Sequence, residues 1–384
     1  MQRPLRIILL GYIIRGPLGG LVWHHLQYAI GYARLGYEVY FVEDSDDYPS
    51  CYDPVRDRTD TDPTYGLSFA SEIFKQVGLA DRWAYHDAHT GRWHGPCGDR
   101  VIDLCKSADL LLNLSGINPL RPWFQSIPVR ALIDTDPTFT QIRHLTDPAA
   151  GKRAEGHTAF FSFAENIGTP RASIPDDRFP WQPTRQPVVL DLWPQTPGPE
   201  EGKFTTVMTW DPHYPACEYA GRRYGMKAES FGPYIDLPQR VGAVFELAVG
   251  GPSVPRALLS SKGWGLCNPR EPTRTPWTYQ AYIRASKGEF TVAKEGYVAT
   301  RSGWFSERSA AYLASGRPVL TQETGFSDSI PTGAGLLTFH SPEEALAGIE
   351  EINRRYPFHC RAAREIAEAY FDAAKVLPAL IDRA

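Results

Sequence analysis

The sequence predicts an α/β protein of two Rossmann-like, doubly wound domains facing a central cleft, and three observations carry that reading. The chain has 384 residues, more than one core of ~150 residues usually holds. In each half, short apolar runs alternate with helical stretches, the pattern of parallel strands covered by helices. Between the halves, residues 169–203 lose all periodicity and carry Pro170, Pro175, Pro180, Pro183, Pro187, Pro194, Pro197 and Pro199, as an extended crossing would. The expected division is an N-terminal domain over 1–168, a proline-rich linker over 169–203 and a C-terminal domain over 204–384. The last helix is expected to pack back on the first domain.

The elements follow in order. Residues 5–13 form a continuous apolar run, as in a strand buried on both faces. A glycine-containing turn over 16–20 leads into a helix over 21–35, which Gly36 ends. Residues 38–42 make a second strand, and 109–114, 129–133 and 158–163 make three more. In the second half, strands are expected at 204–209, 243–249, 298–300, 319–321 and 336–339. Helices are expected at 255–261, 278–286, 306–315 and 342–355. The terminal stretch 361–377 places Ile366, Tyr370, Ala373 and Leu377 on one stripe and reads as a single amphipathic helix.

Composition excludes several functions. Forty basic side chains stand against 44 acidic ones, a net charge of −4, so no basic excess exists to neutralise a nucleic-acid backbone. The one early apolar run ends at Arg15, too short for a membrane span and without a cleavage site. A cytoplasmic location is expected. Six cysteines without a C-x-x-C pair read as reduced thiols. His86, His89 and His94 have metal-like spacing, but the segment lacks a pattern that would align the rings, and a polar loop is expected.

Ligands of open parallel sheets bind outside the carboxyl ends of strands. That rule selects the loops at 16–20, at Asp134 and Asp136, at 302–308 and at 322–325. The first loop is not G-x-G-x-x-G, although Glu43 ends the second strand where a dinucleotide fold carries its ribose-binding acid. An NAD(P)-dependent oxidoreductase is therefore an alternative. Around residue 306 the pattern is more specific. Ser306 is a good N-cap, Glu307 lies in the first helical turn, and free N–H groups beside Arg308 suit a pyrophosphate. An ordinary capped helix would read the same way.

The run Ser302-Gly303-Trp304-Phe305-Ser306, then a helix, then Ala314-Ser315-Gly316-Arg317-Pro318-Val319 resembles the donor-nucleotide motif of GT-B glycosyltransferases. The front end, Gly19-Gly20-x-x-Trp23-His24-His25 followed by 33–39, is similar to their first βαβ unit. The resemblance spans most of the chain and implies a GT-B-like enzyme that moves a sugar from a nucleotide-sugar donor to an unidentified acceptor, with no cofactor beyond the donor. It implies donor contacts at Gly19, Gly20, Lys227, Ser302, Ser306, Glu307, Arg308, Gln322, Glu323, Thr324 and Gly325. One departure stands out: Ala311 lies where many members carry a ribose-binding glutamate, and Gly303 where its partner would be. Glu307, one turn earlier, is the candidate substitute.

At 100° per residue Val22, Leu26, Ala29, Ile30 and Ala33 share one helix face. His24 and Tyr28 project from the other, towards solvent or the cleft rather than the core. A cleft histidine could take the proton of an acceptor hydroxyl, as in inverting members of this fold, with Asp134 or Asp136 as the next candidates. No Asp-x-Asp lies in the second half, so transfer is expected to need no metal, with 134–136 the fallback metal site. Partners are thus a nucleotide-sugar and an acceptor, not a nucleic acid. A non-catalytic nucleotide-sugar-binding protein of the same fold is a further alternative, and oligomeric state is not legible.

Overall fold

The computed structural model describes residues 3–210 and 216–384. Two parallel sheets organise them. The first runs, edge to edge, Trp181–Pro183, Ala159–Ser162, Val129–Asp134, Leu110–Leu114, Arg6–Leu10, Glu38–Asp44, Trp83–Asp87 and Arg92–His94. Only the last pairing is antiparallel. The chain starts in the middle, winds to one side and returns to the other, so the strand order reverses beside Arg6–Leu10. The second sheet runs Gly265–Cys267, Phe245–Gly250, Phe204–Thr209, Gly288–Thr291, Val319–Gln322 and Leu336–Phe339, all parallel. Its order reverses beside Phe204–Thr209. Two doubly wound units of Rossmann type result.

The proline-rich crossing is not wholly irregular. Trp181–Pro183 adds an edge strand to the first sheet, a position where a proline costs no ladder bond. Further on, Val188 donates its N–H to the Phe371 carbonyl at 2.6 Å and accepts from Ala373 N–H at 2.9 Å. That insertion breaks the expected terminal helix. Residues Tyr356–Tyr370 and Ala373–Ile381 are separate helices, the second capped by Asp372. The second piece lies against the first domain, where a Cβ on Gly31 would meet Leu377 Cδ1 at 2.4 Å.

A second correction concerns 298–300. The β-branched residues there suggest a strand, but Glu295–Ala299 is a short helix. The strand is Gly288–Thr291, whose glycine and buried Glu289 hid it. The helix Gly19–Arg34 is buried on nearly every side. The sheet covers one face, and helices Pro276–Ala285 and Ala373–Ile381 pack on the rest. One apolar cluster therefore passes without a break from Ile7 and Leu26 through Trp193 to Ala311 and Leu377. Among the described residues no helix is long and apolar enough to cross a membrane.

Candidate active site

The carboxyl ends of both sheets meet along one seam. Segment 164–166 lies on 302–304: Asn166 N–H donates to Ser302 O at 3.1 Å, and its Nδ2 reaches Arg301 O and Gly325 O at 3.1 and 3.0 Å. This brings together the loops that the sequence selects, though with unequal availability.

The loop after Arg6–Leu10 is braced from below. Glu43, wholly buried, accepts the N–H groups of Ile13, Ile14 and Arg15 at 2.6–2.8 Å and pairs with the Arg15 guanidinium at 3.3 Å. Its carboxylate is therefore committed to the loop and not offered to a ribose. Gly19 is committed as well. Its N–H donates to Thr273 O at 2.7 Å, and a Cβ there would stand 2.2 Å from Thr275 O. Gly20 faces the Tyr279 ring, which a Cβ there would meet at 3.1 Å. These glycines let the helix start approach the second domain closely. Both features behind the dinucleotide alternative are thus spent on structure.

Several expected donor contacts are also internal. Arg308 donates to Glu289 from Nε, to Val207 O at 2.8 Å and to Thr291 Oγ1 at 2.7 Å. It braces the sheet from inside, so its three donor groups are engaged within the second domain. Ser306 caps the helix Glu307–Ala314 by accepting Arg308 N–H. Ser302 Oγ accepts Trp304 N–H, Gln322 Oε1 accepts Ala293 N–H, Glu323 accepts Gly325 N–H and Thr324 Oγ1 donates to Trp304 O. These four buried residues, with Gly325 at φ 99°, shape the turn beside the helix start.

The acidic candidates are occupied too. Asp134 accepts from Asp136 N–H, Thr140, Ser162 and Gln141 at 2.7–3.2 Å, filling both oxygens, while burial pushes its pKa up. Asp136 pairs with Lys294 at 2.7 Å and accepts from the Tyr297 hydroxyl. Both carboxylates are engaged by neighbouring donors. Among the described residues no group of three His, Cys, Asp or Glu could hold a metal.

What remains open lies at the second helix start. Glu307 is exposed there. Lys227, half-buried at the start of Lys227–Phe231, has no hydrogen-bond or ion-pair partner among the described residues. Burial, the Arg308 guanidinium and the Lys294 ammonium push its pKa down to about 7. Tyr12, which the sequence did not single out, joins this group. Burial and the Glu307 carboxylate push its pKa up to about 12. Its signal was position alone, two residues past a strand end.

His24 departs from the expected exposure. It is 9% exposed, and its ring meets those of His25, Tyr28 and Phe163 edge-on at 5.0–5.9 Å. The helix face it occupies, polar by sequence, is covered by the second domain. There His24 lines a narrow space shared with Trp193, Glu307 and Arg308, with room for about one water. Its Nε2 has no partner among the described residues, and burial lowers its pKa against the pull of Glu307. It is a neutral ring at the seam.

No family model matches the chain, and no curated protein matches its sequence. Solved structures do. An α-glucosyltransferase in complex with UDP aligns over 98% of this chain and 99% of its own, with TM-score 0.60 and 10% identity. The same type of enzyme with UDP and a 13-mer DNA aligns over 99% of each chain with TM-score 0.59 and 10% identity. HepE of Anabaena, in complex with UDP and glucose, aligns over 98% of both chains with TM-score 0.57 and 11% identity. With so little identity over such complete coverage, what is shared is the backbone: this chain has the two-domain GT-B fold.

Proposed function

We propose that the protein transfers a sugar from a uridine-diphosphate sugar to an acceptor hydroxyl. The observation that carries the reading is Lys227, which has no partner among the described residues and whose pKa is pushed down to about 7 by burial and two neighbouring cations, near the start of Glu307–Ala314. Such a group is relieved by an anion, and a diphosphate supplies one. UDP, bound in the structures that share the fold, is the chosen form.

The chemistry follows from the arrangement. When the sugar leaves, negative charge develops on the diphosphate. Lys227 and the amides at the start of Glu307–Ala314 stabilise it, and the fixed charge of Arg308 adds at longer range. These cations belong to the protein, so transfer without an added metal is part of the proposal. The exposed Glu307 accepts hydrogen bonds from ribose hydroxyls. His24, neutral and unpaired, is the base that takes the acceptor proton. The closed seam excludes water that would hydrolyse the donor.

Thermal unfolding with added ligand tests the reading. UDP should raise Tm by a few degrees at saturating concentration and NAD should not. His24→Ala should keep the UDP shift and lower donor turnover by about 10²–10⁴-fold. Stabilisation by NAD alone would overturn the proposal.

A further inference from the structure

A second cavity, of about 370 Å³, opens in the first domain at the carboxyl ends of Leu110–Leu114 and Val129–Asp134. Helices Phe139–Thr146 and Pro148–Glu155 form its outer wall. The volume falls in the range of small-molecule sites, roughly 300–1,000 Å³. Its lining includes Asp134, which accepts Asp136 N–H at 2.9 Å, and Asp136 is the partner of Lys294 at the seam. The cavity therefore begins two residues from the proposed donor cleft.

Its chemistry is specific. No Phe, Tyr or Trp lines it, and the apolar part is Leu132 with three alanines. Charged groups of both signs line the wall, Arg143 and Arg153 beside Asp134 and Asp147. Arg153 binds Asp46 through two bonds of 2.7 and 2.8 Å, and Asp134 is filled by four donors. His144 meets Asp177 through Nδ1 at 2.7 Å. Asp177 is itself fixed by the Trp181 indole N–H at 2.8 Å, and the His144 ring lies parallel to that of Trp181. The histidine is held rigidly, and its Nε2 has no partner among the described residues.

An aromatic or aliphatic ligand would strip water from these groups and return no hydrogen bonds. A polyphosphate would be set against the Asp134 and Asp147 carboxylates of the same wall. A chain of hydroxyls, each able to donate and accept, satisfies such a wall. We propose that this cavity binds a neutral polyhydroxylated ligand, a saccharide, with His144 as its fixed hydrogen-bonding anchor. That this saccharide is the acceptor rests on the transfer reading above; its binding does not.

The test therefore omits the donor. Saturation-transfer NMR on the full chain would use millimolar maltose, sucrose, lactose and trehalose, with p-nitrophenol and a hydroxymethylated DNA duplex as the other arms. At least one disaccharide should give a signal. That signal should fall at least fivefold in Ala150→Trp, which fills the cavity from its half-exposed wall, and in His144→Phe, which keeps the stacked ring and loses both nitrogens. UDP affinity, measured separately, should change less than twofold in either variant. No disaccharide signal, a signal that survives Ala150→Trp, or binding confined to p-nitrophenol or the duplex would each overturn the proposal. Failure of UDP to bind would remove the transfer reading and leave this one standing.

Discussion

Two helices, Gly19–Arg34 and Glu307–Ala314, begin at the seam between the domains, each following a loop at a sheet's carboxyl edge. The first has the glycine-rich entry usually associated with phosphate binding, yet Gly19 spends its N–H on Thr273 and lies flush against Thr275. The second has no such entry, yet Glu307 is exposed and Lys227, near it, has no partner among the described residues. A helix N-terminus carries partial positive charge in both cases. What decides whether it can take an anion is what the rest of the chain sets opposite it. At the first that is a backbone carbonyl, and at the second the Lys227 amine.

Two substitutions probe the difference between these helix starts. The largest effect is expected at Arg308. Its guanidinium is a buried partner of Glu289, so Arg308→Ala should cost about 3–5 kcal/mol of stability by stranding a buried carboxylate. Urea unfolding reads this, and adding Glu289→Leu should recover part of the loss. A variant of unchanged stability but weakened UDP binding would restore Arg308 as a direct ligand. A smaller loss is expected at the closed helix start. Gly19→Ala places a methyl against Thr275 O and should cost about 1–3 kcal/mol. The folded fraction should bind UDP like the parent, measured by calorimetry. Weaker UDP binding in that fraction would mean the first helix start contacts the donor after all.

Legibility in the sequence divides along the same line. Strands such as Arg6–Leu10 and Leu110–Leu114 are buried on both faces and announce themselves as apolar runs. Gly288–Thr291 does not, because it buries Glu289, and the arginine that makes this tolerable comes from a later helix. The break at Phe371 and Asp372 depends on Val188, far away in the chain, and no local pattern encodes it. The cap at Ser306 is a local feature and could be read directly. The exposure of His24 could not, because its helix looks amphipathic alone and is covered on its polar face by the second domain. Asp134 and Asp136 looked available for the same reason: Ser162, Lys294 and Tyr297 reach them only in the fold.

The central claim is that Lys227 waits for an anion, and proton linkage tests it most directly. In the free protein its pKa is about 7, so at pH 8 the amine is mostly neutral. A bound diphosphate favours the ammonium and raises that pKa, so binding at pH 8 must take up a proton, and UDP affinity must fall as pH rises above about 7. Calorimetry of UDP binding at pH 8, in two buffers of different ionisation enthalpy, measures the uptake. The account predicts uptake in the parent, and in Lys227→Met no uptake with UDP binding weakened about 10- to 100-fold. Buffer-independent heats in the parent, with Lys227→Met binding UDP as tightly, would contradict it.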